Sequence, residues 1–191
     1  MYALVTPNNE ITQIGELQTL FPNEYQPTAL YASQHGAKEI IDGNREDERF
    51  YWVTFGSYSV GDTYVTRNYV NTAKALEDRA EVKEDNTPLY VQVWDATANN
   101  GQGAMVDTTE QVITKGLKSN YITQFKQTAN SMLAQTDWMV IRKAERNVAI
   151  PADVAAKRAA ILAECDRLTA AVTAAQDMPS FITAVQSANW S

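Results

Sequence analysis

The sequence predicts an α+β protein: a small N-terminal antiparallel β module followed by a C-terminal helical hairpin. Two observations carry this. The run Arg49-Phe50-Tyr51-Trp52-Val53-Thr54-Phe55 is aromatic and β-branched, the composition of a pleated, half-buried surface. Past residue 103 the apolar positions change period, from alternation to the three-and-four spacing of a helix. The chain has 191 residues, 45% hydrophobic, enough for one ordinary domain or two small ones with a core of their own. The boundaries that follow are 1–76 for the β-rich module, 77–103 for an acidic connector with one extended strand, and 104–191 for the helical hairpin.

Taken in order, residues 2–6 read as a short strand stopped by Pro7-Asn8-Asn9, and residues 10–17 as its hairpin partner. A lone hairpin is marginal in water and needs a third strand or a helix. Residues 28–41 have room for a short helix, which Gly36 weakens. Phe50–Val60 is a strand, Gly61-Asp62 a turn, and Tyr64–Val70 alternates as the next strand, so the module is a meander with one aromatic face. That face suits core packing, protein contact or the stacking of a ligand ring. Leu89–Trp94 follows as a strand or tether, and Asn99-Asn100-Gly101-Gln102-Gly103 as a loop.

The spacing of Asp107 and Glu110 predicts a capping box, and with it a helix that runs through Val112, Leu117, Phe125 and Leu133. Thr136-Asp137 offers another cap, from which Trp138–Glu145 continues or restarts the helix. Pro151 suits a first helical position, where its missing N–H costs nothing. The helix from Pro151 to Gln176 carries Val154, Arg158, Ile161, Cys165, Leu168, Val172 and Ala175 in heptad steps, a seam interrupted only by Arg158. At about 1.5 Å per residue it spans roughly 40 Å. The preceding helix is the simplest partner for that seam, and a second chain is the alternative. Asp177-Met178-Pro179 starts a last helix that ends near Trp190.

The formal net charge is −7, and all of it falls in residues 1–87, with fourteen acidic and seven basic side chains. This balance opposes a phosphate backbone as the main partner, so no nucleic acid is expected. The acidic stretch Glu77–Asp85 reads as a solvated linker or as a contact for a basic partner. No apolar run approaches the ~20 residues of a membrane span, and the opening residues lack a secretory signal's pattern, so no membrane association is expected.

Reactive chemistry is sparse. One His and one Cys cannot make the usual zinc site, and no cofactor or metal site is expected. His35 has no catalytic neighbours in sequence, and Cys165 lies on the seam, where a thiol acts as a small hydrophobe. Ser57 lacks the glycine-flanked elbow of hydrolases, and Gly101-Gln102-Gly103 lacks the rest of a phosphate loop. A glycan hydrolase built on carboxylates such as Asp47, Glu48, Asp62 and Asp95 is the enzymatic alternative. Catalytic residues are expected to be none.

Two regions together resemble small proteins of tailed-bacteriophage tail modules. One is the opening, Met1-Tyr2-Ala3-Leu4-Val5, Ile11–Leu17 and Leu20-Phe21-Pro22-Asn23. The other is Leu133-Ala134-Gln135-Thr136-Asp137-Trp138 followed by Arg158-Ala159-Ala160-Ile161. The latter region resembles the leucine, Asp-Trp, helical-Arg pattern of tail-fibre assembly chaperones and tail-fibre- or baseplate-associated structural proteins. It departs from the chaperones in continuing the helix through Met139-Val140-Ile141-Arg142 and in ending Trp190-Ser191.

The resemblance implies a non-enzymatic virion protein that binds a tail-fibre or baseplate protein. The alternative is a transient assembly chaperone absent from the finished particle. It also implies synthesis in the host cytoplasm before incorporation in the tail. On this reading Asp137, Trp138, Arg158, Ile161 and Leu168 are the partner-binding residues or helix-pair anchors: Asp137 as a cap, Trp138 as a buried anchor, and Arg158 reaching a carboxylate or a helix C-terminus. A homo-oligomer remains open.

Overall fold

The computed structural model describes residues 1–190. It is an α+β protein with an N-terminal β-sheet and C-terminal helices. The chain divides into two compact units, one spanning Met1–Ala73 and the other beginning at Lys74.

The first unit is built on a five-stranded sheet. Strands β1 (Tyr2–Val5) and β2 (Ile11–Gly15) form the expected hairpin, with Asn9 at φ 61° in its turn. The short helices α1 (Leu17–Leu20) and α2 (Ala29–Gln34) follow. The helix expected over 28–41 is confined to α2. Its chain turns at His35-Gly36, where Gly36 takes φ +81°, and residues Ala37–Asp42 become strand β3. A side chain at Gly36 would meet the Val5 carbonyl at 3.1 Å in a conformation that L-residues resist. Strands β4 (Tyr51–Val60) and β5 (Tyr64–Ala73) form the long hairpin, bulged between Phe55 and Ser57.

The strand order is β2-β1-β3-β5-β4. One join is parallel, β3 against β5, so the module is not a purely antiparallel meander. Its core is small: Ala3, Leu20, Ala32, Ala37, Phe50 and Val65 are buried.

In the other unit, β6 (Arg79–Ala80) pairs with β9 (Ile113–Thr114), and β7 (Tyr90–Asp95) pairs with β8 (Ala104–Gln111). The turn α3 (Ala98–Gly101) between them holds Asn99 and Asn100 in the left-handed region, which asparagine tolerates best among non-glycine residues. The helix expected from Asp107 thus starts ten residues later, at Leu117. Asp107 lies in β8, where its carboxylate accepts from the Gln92 side chain at 2.9 Å and faces Lys83. Alternation from Ala104 to Thr109 accommodates a strand, and pairing with β7 decides the matter.

Helix α4 begins at Leu117 and ends at Ala134, with Gly116 at its N-cap. Glycine brings no capping side chain, and Asp78 supplies the cap from far up the chain. Its carboxylate accepts from the Gly116 N–H and from the Ser119 hydroxyl, both at 2.8 Å. These bonds, the Gly116 one foremost, hold the Asp78 carboxyl below its ordinary range. Part of the acidic stretch Glu77–Asp85 is therefore structural.

Helices α5 (Asp137–Arg146), α6 (Ala152–Ala174) and α7 (Met178–Gln186) complete the unit. Pro151 stands at the N-cap of α6, one residue before the expected place. Helix α7 stops four residues before Trp190, and Asp177 and Ser180 form its capping box. The heptad seam of α6 packs along α4, giving an intramolecular hairpin. Cys165, Leu168, Val172 and Ala175 are buried on the seam, against Leu117, Phe125, Ala129 and Leu133, with Met178, Phe181 and Ala184 from α7. Tyr121 meets Phe181 edge-on at 5.4 Å.

Candidate functional site

The five residues singled out by the sequence separate into four groups, Ile161 lying apart on the wall of a cleft between α4 and α6. Leu168 is fully buried and serves the α4–α6 packing alone. Asp137, Arg158 and the joint between α4 and α5 form one polar cluster. Trp138 stands outside both.

Arg158 is the centre of the cluster. One nitrogen, Nη1, donates to the Leu133 carbonyl at 2.8 Å and to Thr136 Oγ1 at 2.6 Å. The other, Nη2, donates to Asp137 Oδ1 at 2.8 Å. The last carbonyls of a helix have no partner within it, and a cation there also opposes the negative end of the helix dipole. Asp137, in the first turn of α5, opposes the positive end of that helix. One guanidinium therefore joins the end of α4, the joint, and the start of α5. Its side chain is 18% exposed and that of Asp137 54%. Both roles expected for Arg158, carboxylate and helix C-terminus, occur together. Asp137 is the first helical residue; the N-cap is Thr136, whose side chain makes no capping bond.

Trp138 is 52% exposed, contrary to the expected buried anchor. Its ring lies 5.0 Å beneath the Arg142 guanidinium, one turn along α5. Helix α5 has no buried residue at all; Val140 and Ile141 are exposed beside Trp138, and Lys143 and Arg146 fill its last turn. The reason is local. Asn147, in the left-handed conformation, ends α5 after ten residues, and the buried half of the α6 seam, Cys165 to Val172, packs with α4.

Beside Arg158, a cleft of about 320 Å³ opens between α4 and α6, lined by Met132, Thr136, Val154, Lys157, Arg158 and Ile161. Ile161 is half-buried on its wall. A smaller hollow shares Met132, Lys157 and Ile161 and reaches Trp190. Trp190 is held by a short strap: Arg167 donates to the Ser187 carbonyl at 2.9 Å, and Glu164 Oε1 accepts from the Asn189 N–H at 2.8 Å. The Arg167 guanidinium and then the Asn189 amide pull the Glu164 carboxyl down to about 2. Met132, Val154, Lys157 and Trp190 carried no signal as a set, because separate segments bring them together. The Glu164–Arg167 spacing, one helical turn, was a visible signal for the strap.

Three of the four alternative carboxylates are engaged elsewhere. Asp47 takes three bonds from the Arg49 guanidinium, at 2.6, 2.9 and 3.1 Å, and Glu48 pairs with Arg45. Asp95 closes a turn on Thr97, whose hydroxyl and then amide hold its carboxyl below the ordinary range. A general acid needs the opposite shift. His35 stacks on Tyr31 at 4.0 Å, and its Nδ1 lies 2.7 Å from the Tyr31 carbonyl. Cys165 is buried. Among the described residues no three His, Cys, Asp or Glu side chains are grouped to hold a metal ion, and no helix is long and apolar enough to cross a membrane. No protein family, curated protein or solved structure matches the chain.

Proposed function

We propose that this chain is a non-enzymatic bacteriophage virion protein that binds a tail-fibre or baseplate component, with α5 and the adjoining cleft as the contact. One observation carries the binding role: α5 is fastened at its start by a largely buried arginine, yet buries none of its own apolar side chains. A helix fastened at its start and presenting Trp138, Val140 and Ile141 to solvent has the makings of an interface core, in which tryptophan and arginine are enriched. The phage context rests on the resemblance of Leu133–Trp138 and Arg158–Ile161. Specific interfaces bury roughly 1,200–2,000 Å² in total, which a contact centred on α5 reaches by including the cleft.

The test is co-expression of the full chain with the adjacent tail proteins of its genome. Capture of a fibre or baseplate protein, lost on Trp138→Asp with Ile141→Asp while thermal unfolding stays unchanged, supports the proposal. Capture that survives both substitutions removes α5 from it. Mass spectrometry of purified particles then separates a resident tail protein, which is present, from an assembly chaperone, which is not.

A further inference from the structure

The unit Met1–Ala73 holds a hollow of its own, at the link between α1 and α2. Leu20, Phe21, Pro22, Asn23, Glu24 and Tyr31 line it, and its volume is about 240 Å³. Sites for drug-sized ligands run to roughly 300–1,000 Å³, so this one suits a smaller molecule. Phe21 and Tyr31 meet at right angles, 89° between planes, with centroids 5.4 Å apart. His35 stacks on Tyr31 at 4.0 Å but does not line the hollow, so it covers one face of that ring and leaves the rest to border the space. Glu24 is half-buried on the wall. Its backbone is fixed: the N–H donates to the Phe21 carbonyl at 3.1 Å, and its carbonyl accepts from Gln18 Nε2 at 3.2 Å. Its carboxylate has no hydrogen bond and no ion pair among the described residues. Residues 1–37 contain no lysine or arginine. Lys38 donates instead to the Gly61 carbonyl at 2.7 Å, and the Met1 amino group lies 3.8 Å from Glu16.

We propose that this hollow binds a trimethylammonium cation of the choline type. Aromatic faces attract a cation through the ring quadrupole, and they are the surface by which quaternary ammonium groups are recognised. Phe21 and Tyr31 supply two such rings at a corner, and Glu24 supplies the opposite charge, which nothing in the chain neutralises. The field of the unit favours the same sign of ligand. Residues 1–73 carry nine acidic side chains against four basic ones, a net −5 that draws cations toward them. The wall also selects the methylated form. A primary ammonium has three N–H donors and gives up its water only for acceptors that replace it, and Glu24 is the single carboxylate here. N-methyl groups donate no hydrogen bond and pack on Leu20, Pro22 and the two rings. The site lies in the unit without α5 and stands apart from the role proposed for that helix.

The experiment is an NMR titration of the isotope-labelled full chain with choline chloride at constant ionic strength. Ethanolamine, the neutral tert-butyl analogue of choline, and phosphocholine are titrated beside it. Choline is expected to give saturating shifts centred on the amides of residues 20–31, with ethanolamine and the neutral analogue each about fivefold weaker or worse. Glu24→Gln and Tyr31→Leu are each expected to weaken choline about fivefold, circular dichroism and thermal unfolding establishing that both are folded. Phosphocholine that moves the same amides supports a head group as the source of the cation, and a response to choline alone supports the free molecule. Absence of a saturating shift with choline overturns the proposal. So does ethanolamine or the neutral analogue binding as well as choline, or choline binding that survives both substitutions. Should Tyr31→Leu not fold, Glu24→Gln alone decides: unchanged choline binding in that variant refutes the site.

Discussion

Arg158 was the anomaly on an apolar seam, and its three hydrogen bonds explain it. Such a residue is costly to remove, because the Leu133 carbonyl, the Thr136 hydroxyl and the Asp137 carboxylate each lose a charged hydrogen-bond donor in a half-buried joint. Arg158→Met is therefore expected to lower stability by about 2–3 kcal/mol in urea unfolding, bonds to a charged group being the stronger kind. Trp138→Ala is expected to change stability by under ~0.5 kcal/mol, as at any exposed site, and to act on binding instead. A side chain's type is visible in sequence. Whether an indole is covered depends on what its helix packs against, and α5 packs none of its residues into a core.

Glu164 gives the pH dependence at this scale. Its carboxyl is lower in the folded chain, about 2 against an ordinary 4.5, so the folded state favours the ionised form. The stability it adds is complete above the ordinary value and is lost as pH falls from there toward 2. Acid should thus free the Ser187–Trp190 strap in that window. In a chain whose other three tryptophans are replaced by phenylalanine, Trp190 fluorescence should shift across it, and Glu164→Gln should remove the acid-dependent step.

At the scale of elements, the helices from Pro151 onward were legible because period, proline and capping residues agree there. Asp177 and Ser180 cap α7 as neighbours in sequence do. The start of α4 was not legible. Asp107 and Glu110 mimic a local cap, whereas the working cap comes from Asp78, 38 residues before Gly116. Gly116 itself is fixed by crowding: a Cβ there would fall 2.4 Å from the Glu77 carbonyl oxygen, a backbone atom that cannot swing aside. Gly116→Ala is expected to separate Asp78 from α4 and to lower the unfolding midpoint measured by circular dichroism, even though alanine is the better helix former. Asp78→Asn should lower it less, since an amide oxygen still accepts one of the two bonds.

On the scale of the whole molecule, the two units differ in how much they bury. The unit from Lys74 onward holds a continuous core of leucine, valine, phenylalanine and methionine across α4, α6 and α7. The unit Met1–Ala73 buries three alanines, with Leu20, Phe50 and Val65. A chain that short needs most of its apolar surface covered to stand alone. Residues 74–191 produced separately are therefore expected to unfold in one cooperative transition, and residues 1–73 to melt at a lower temperature. Calorimetry of the two fragments measures both.

The sequence alone determined the class of the protein, the β4–β5 hairpin and the heptad seam. Each of these is written in residues close together along the chain, or in a period that only one kind of element satisfies. Tertiary structure alone decided that Ala104–Gln111 is a strand, that β3 joins β5 in parallel, that Asp78 caps α4, and that Trp138 faces outward. Those outcomes depend on partners tens of residues away. A short segment compatible with either period takes the form that its distant neighbour can hydrogen-bond or cover.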